Sequence, residues 1–206
     1  MYIINQIYNI KDRIFPKGIR DTFFPPMRRL RMYKIKYEVH FFRKKRLEKL
    51  FSNQKKEELN DIPIFIISFN RLTYLKILIE DLERLGLHNI KIIDNGSTYP
   101  PLMQYYDTIP YDVIRLKNNL GHLAFWKDNR FKKYRDNFYV VTDPDVKFID
   151  DCPNDIMSRL FECLSKYPYV NKVGPSLKID DIPENGVFGD KPRQWEAHFG
   201  RTSYLI

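Results

Sequence analysis

Two carboxylates flanking one proline, Asp143-Pro144-Asp145, follow the apolar run YVVT at 139–142. In an extended segment residues i and i+2 point to the same side, so both acids can face one hard cation or one phosphate–cation pair. Pro144 has no N–H and a fixed φ, which limits how the two side chains fold back onto the backbone. The carboxyl end of a strand is also where open α/β sheets hold their ligands. The competing reading is a turn after a strand, where Asp and Pro are common in any protein.

The elements that would position such a pair can be read on either side of it. PIFIIS at 63–68 is a short continuous apolar run, as expected of a strand covered on both faces. Thr73 is placed to cap a helix in which Leu75, Leu78, Ile79, Leu82 and Leu85 keep a 3.6-residue period up to Gly86. Residues 89–93 form the next strand, closing on Asp94-Asn95-Gly96-Ser97, and a short helix follows Pro100 and Pro101. A third strand covers 111–116, and Asn118-Asn119-Leu120-Gly121 makes a polar turn before a helical stretch at about 123–134. Beyond the aspartates, Pro153 suits the first turn of a helix whose stripe is Ile156, Met157, Leu160, Phe161 and Leu164. Residues 169–173 read as a further strand, and from Leu177 the chain is turn-rich and weakly periodic. Strand and helix alternate from Pro63 to Pro175, which predicts an α/β domain with a mostly parallel sheet flanked by helices.

Composition narrows the classes. The 206 residues suit one domain of ordinary size, and a 43% hydrophobic content excludes a disordered tail. Cys152 and Cys163 make no disulfide framework, and Cys163 reads as a small core residue. No run of 18 apolar residues is present, and the opening MYIINQIYNIKDR puts its charge after its apolar residues, unlike a secretory signal. The expected location is the cytoplasm, with peripheral contact at the inner face of a membrane.

The net charge of +9 is unevenly spread. Residues 28–49 carry ten Lys and Arg against Glu38 and Glu48, so eight of the nine excess charges sit in that stretch. Residues 28–51 lack Pro and Gly and are predicted helical, with Tyr33, Tyr37 and Phe41 beside the basic block 43–46. Three uses fit: contact with an anionic bilayer, a partner protein, or nucleic acid. A solvated helix with one face on the domain fits as well. The near-neutral remainder argues against a nucleic-acid binder as the description of the whole chain. Residues 1–60 are thus expected to form a basic aromatic segment, with a linker at 51–61, and 61–206 the α/β domain.

Strand ends at one edge can be read together. The first carries Ser68, Asn70 and Arg71; the second Asp94, Asn95, Gly96 and Ser97; the third Asn118, Asn119 and Gly121; the fourth Asp143 and Asp145. Neither GxGxxG nor GxxxxGK[ST] occurs, which argues against a dinucleotide dehydrogenase or a P-loop ATPase. What the edge offers is amides, hydroxyls and carboxylates for a base and ribose. Asp94 can accept from ribose hydroxyls or a base N–H, Arg71 can meet a phosphate bidentately, and His122 can donate to one.

The ordered set IISFNR (66–71), IIDNGS (92–97), RLKNNLGH (115–122) and VVTDPDV (140–146) resembles GT-A glycosyltransferases of the family 2 type, over about residues 62–180. The resemblance implies that Ser68, Asn70 and Asp94 contact the base and ribose of a nucleotide-sugar donor, a UDP-sugar foremost. Asn95 and Arg71 would lie beside them, and Gly121 would approach the donor. Asp143 and Asp145 would be the DxD pair holding Mn²⁺ or Mg²⁺ on the donor diphosphate, Asp145 directly and Asp143 through the ribose or a bound water. The acceptor would be a saccharide or a lipid-linked sugar, as in surface polysaccharide synthesis. Such a reaction also needs a base for the acceptor hydroxyl. Here it must come from the 61 residues after Asp145, where Glu196 in WEAHFGR is the candidate. That stretch is shorter than in relatives, so a non-catalytic or incomplete nucleotide-sugar-binding module is the alternative, and a basic nucleic-acid-binding protein the second.

Overall fold

The computed structural model describes residues 2–4, 48, 51–52, 56–167, 170, 172–178, 191 and 194. The basic segment 28–49, Glu48 apart, and Glu196 lie outside the described residues. The chain divides into two compact units, Met1–Val173 and Gly174–Ile206. The sheet and its covering helices belong to the first.

Among the described residues the sheet has six strands: β1 (Tyr2–Ile4), β2 (Ile64–Ser68), β3 (Ile90–Asp94), β4 (Asp112–Arg115), β5 (Tyr139–Thr142) and β6 (Lys172–Val173). Their spatial order is β4-β3-β2-β5-β1-β6. The four strands β2 to β5 are mutually parallel, while β1 runs antiparallel to both β5 and β6. The chain steps outward from β2 to β3 and β4, then returns to the other side of β2 as β5. A crevice therefore opens at the carboxyl ends of β2 and β5, the switch point of the topology.

The continuous apolar run of β2 has a direct cause. Ile64 and Ile66 enter one core, with α1 (Leu72–Arg84), α2 (Pro100–Tyr106) and α4 (Ile156–Lys166). Phe65 and Ile67 enter the other, beneath α3 (Ala124–Lys127) and the turns around it. With a period of two, each face needs its own apolar residue at every second position. Leu75, Leu78 and Leu82 on α1 have no exposed surface, and each contributes about 2 kcal/mol of apolar burial. On the second face the rings of Phe65 and Tyr139 each lie 4.7 Å from that of Phe125, an aromatic cluster under the strand that bears the aspartates.

Helix α1 ends as its sequence predicts. Gly86 takes φ +71, its N–H meets Glu83 O and the Leu87 N–H meets Leu82 O, both at 2.9 Å, the two bonds of a Schellman motif. Its start differs from expectation. The helix opens at Leu72 with Arg71 at its N-cap and no side-chain cap, two residues before the expected start, leaving Thr73 exposed inside it just after the φ +53 turn at Asn70.

Two other stretches depart from the sequence reading. The expected linker contains a 3₁₀ helix, Lys56–Asp61, with Leu59 and Ile62 buried in the first core. Phe51 stacks edge-on to Phe161 and against Phe138, so apolar side chains dock this segment. The helical stretch at 123–134 is three short pieces, Gly121–Leu123, Ala124–Lys127 and Asn129–Tyr134. Asp128 breaks it by adopting extended backbone and accepting the Arg130 N–H on its side chain.

Candidate functional site

Strand register aligns the candidate residues. Ser68 sits opposite Asp94 and Asp94 opposite Arg115, one row across the carboxyl edge. Thr142 pairs with Ile66, so the chain from Asp143 onward leaves the sheet beside Ser68.

The loops above this row are tied to each other by polar groups. Asn70 Oδ1 accepts the N–H groups of Thr98 at 2.9 Å and Tyr99 at 3.0 Å, while the Asn70 N–H donates to Ser97 Oγ at 3.0 Å. Asn70 thus ties the two residues that lead into α2 to the end of β2. The second and third loops are joined by Asn95, which is 3% exposed. Its Nδ2 donates to Asn119 Oδ1 and Gly121 O, and its Oδ1 accepts from the Leu120 N–H at 2.8 Å. Gly96 lets the loops close: it has φ +79, and a Cβ there would lie 3.1 Å from the backbone of Asn118 and Asn119.

Asp94 is buried beneath the loops at 1% exposure. Its Oδ1 accepts the Ser97 N–H at 3.1 Å and its Oδ2 meets Arg115 Nε at 3.3 Å, with the guanidinium side open to solvent. Behind it, the hydroxyls of Ser68 and Tyr106 are buried near one another without a well-formed hydrogen bond. Burial pushes the Tyr106 phenol up to about 12, and the Asp94 carboxylate adds to the rise.

The aspartate pair lies at a turn, Pro144 and Asp145 bending the chain directly after β5, and not in the extended segment expected from its spacing. Asp143 and Asp145 are exposed and Pro144 between them is buried. Desolvation by neighbouring groups holds the Asp143 carboxyl above its ordinary range, the Asp145 charge raises it further, and His122 opposes both.

Not every residue expected at the site stands in the same relation to it. Asp143 and Asp145 face solvent, as does Arg71, whose guanidinium lies 5.7 Å from the centre of the Tyr74 ring. Gly121, at φ +74, is exposed in the third loop. Ser68 and Asp94 lie under the surface, and the side chains of Asn70 and Asn95 are engaged in joining loops. Arg115 was not among the sequence candidates. Its signal was its place, at the end of the strand beside the one that ends on an aspartate.

Two carboxylates on one open face are hard oxygen donors suited to Mg²⁺ or Mn²⁺, and their repulsion is charge that a cation would neutralise. Among the described residues no group of three or more His, Cys, Asp or Glu side chains could hold a metal ion. Among the described residues no helix is long and apolar enough to cross a membrane. Comparison with protein-family models, with curated proteins and with solved structures found no match to this chain.

Proposed function

We propose that the chain binds a nucleotide-diphosphate sugar across the crevice between β2 and β5, and that it is a GT-A glycosyltransferase of the family 2 type. The observation that carries this reading is the pair Asp143 and Asp145, exposed side by side at the switch point with Pro144 packed beneath them. Asp145 holds Mg²⁺ or Mn²⁺ directly and Asp143 holds it or its water. Such a cation, when bound, supplies positive charge to a diphosphate leaving group. The buried Asp94 orders the DNGS turn and holds Arg115, whose Nη2 reaches Met103 Sδ on α2. Phe69, Arg71 and Tyr99 stand exposed above the edge and contact the nucleoside or its phosphates. His122, exposed in the third loop, adds a donor for a phosphate. The sugar passes to a saccharide or lipid-linked acceptor.

Calorimetric titration of UDP, GDP and their sugar conjugates tests this, with Mn²⁺ and then with EDTA, beside Asp145→Ala. Binding of one diphosphate nucleotide that weakens with EDTA and in the variant is the expected result. Donor binding without transfer or donor hydrolysis at any metal concentration would mark a binding module. Absence of nucleotide binding in every condition would sink the reading.

A further inference from the structure

Asp81 breaks the pattern of α1. It lies on the buried side of the helix, among Leu78, Ile79 and Leu82. An ionised group there is unfavourable unless it is fully paired. Both of its oxygens have partners. Oδ2 accepts the buried N–H of Phe148 at 2.9 Å, and Oδ1 meets Arg84 Nη2 at 3.2 Å. The Arg84 guanidinium continues across the gap and donates to the carbonyls of Ile149 and Asp150, both at 3.3 Å. One turn of α1 therefore holds three consecutive residues of a segment without regular structure.

That segment is the exit from the aspartate pair. Only Val146 and Lys147 separate Asp145 from the anchored Phe148, whose side chain is also buried. On the other side, Thr142 is in the β2–β5 ladder and directly precedes Asp143. The pair thus sits in a short span fixed at both ends, by the sheet before it and by α1 after it. A neutral amide would suffice to accept the Phe148 N–H. The carboxylate does more, because it also recruits the guanidinium that holds the next two carbonyls.

We propose that Asp81 and Arg84 are positioning residues for Asp143 and Asp145, setting the separation and direction of the two carboxylates toward a divalent cation. The inference rests on the nucleotide-sugar reading of the edge. Neither residue touches the ligand; both act through the backbone at 148–150.

Arg84→Met and Asp81→Asn test it, the second retaining an acceptor for Phe148 so that the fold survives. UDP affinity is measured by calorimetry in EDTA and in saturating Mn²⁺, and amide hydrogen exchange is followed over 143–150. The expected result is an unchanged affinity in EDTA, a gain from Mn²⁺ about tenfold smaller than in the wild-type chain, and faster exchange in that segment. An undiminished Mn²⁺ gain in both variants would overturn the inference. So would an equal loss of affinity with and without Mn²⁺, which is the mark of general destabilisation. A wild-type chain in which Mn²⁺ brings no gain would overturn the nucleotide-sugar reading itself, and the metal role of the clamp with it.

Discussion

Asn70 Oδ1 lies 3.0 Å from the amide nitrogen of Tyr99, at the head of a helix that begins 30 residues later in the chain. The residues leading into that helix cannot shift without moving the loop that holds them. Replacing Asn70 with Ala removes both bonds to the Thr98 and Tyr99 N–H groups and leaves at φ +53 a residue that tolerates it less well, for a cost of about 1–2 kcal/mol. Asn70→Asp keeps the acceptor, and Asn70→Gly keeps only the backbone freedom. Urea denaturation should rank them Asp, Gly, Ala in falling stability.

Two glycines in the same region separate backbone strain from crowding. Gly121 has φ +74 with nothing within 4 Å of an added Cβ, so Gly121→Ala should cost about 1 kcal/mol of left-handed strain. Gly96→Ala adds a clash with the Asn118–Asn119 backbone at 3.1 Å and should cost about 2–3 kcal/mol. Equal losses in thermal unfolding would mean that the third loop yields freely.

The aspartate pair should oppose stability and function. Burial of its surroundings and the nearby Asp145 raise the Asp143 carboxyl, so ionisation is less favourable in the folded chain than in the unfolded one. The penalty is absent below the unfolded value and fully present once pH exceeds the folded one. Asp143→Asn should therefore raise the midpoint of thermal unfolding at neutral pH and leave it unchanged in strong acid. The same variant should lose the gain in nucleotide affinity from Mn²⁺. A lower midpoint at pH 7 would contradict the assigned repulsion.

Asp128 behaves in the opposite sense. Hydrogen bonds from the Arg130 side chain hold its carboxyl below the ordinary 3.8. Its contribution is present above that value and is lost as pH falls through the lower folded value. Asp128→Ala should cost about 1 kcal/mol at pH 7, as for a lost cap, and progressively less as pH falls below about 4. Denaturation of both proteins across pH 2–7 measures the convergence.

The parallel part of the sheet was legible because local pattern and tertiary demand agree there. PIFIIS needs cover on both faces and has it, and the period of Leu75 to Leu82 is the face that supplies part of that cover. The aspartate pair was legible only in part: Pro144 and Asp145 turn the chain directly after β5, so the extended geometry expected of a D-P-D spacing is absent while both acids still reach solvent. Other features depend on partners far along the sequence. Tyr2–Ile4 pairs with β5 and β6, and no pattern within a three-residue strand names such neighbours. Leu59 was hidden in a polar stretch, KEELND, that a linker would also have. Asn70 and Asn95 were read as ligand contacts because an exposed amide and a loop-joining amide have the same letter. Asp81 went unnoticed among the leucines of α1 for a related reason: its partner is a backbone N–H, which leaves no trace in composition.

The side-chain ties among the loops also bear on the heat and entropy of binding. A site whose loops are fastened to each other beforehand has little freedom left to surrender when a nucleotide arrives. Its association should then lack the large negative heat-capacity change and the adverse entropy of segments that fold around their ligand. Calorimetry at several temperatures would read this as a shallow slope of binding enthalpy, and Asn95→Ala, which unties the second loop from the third, should steepen it.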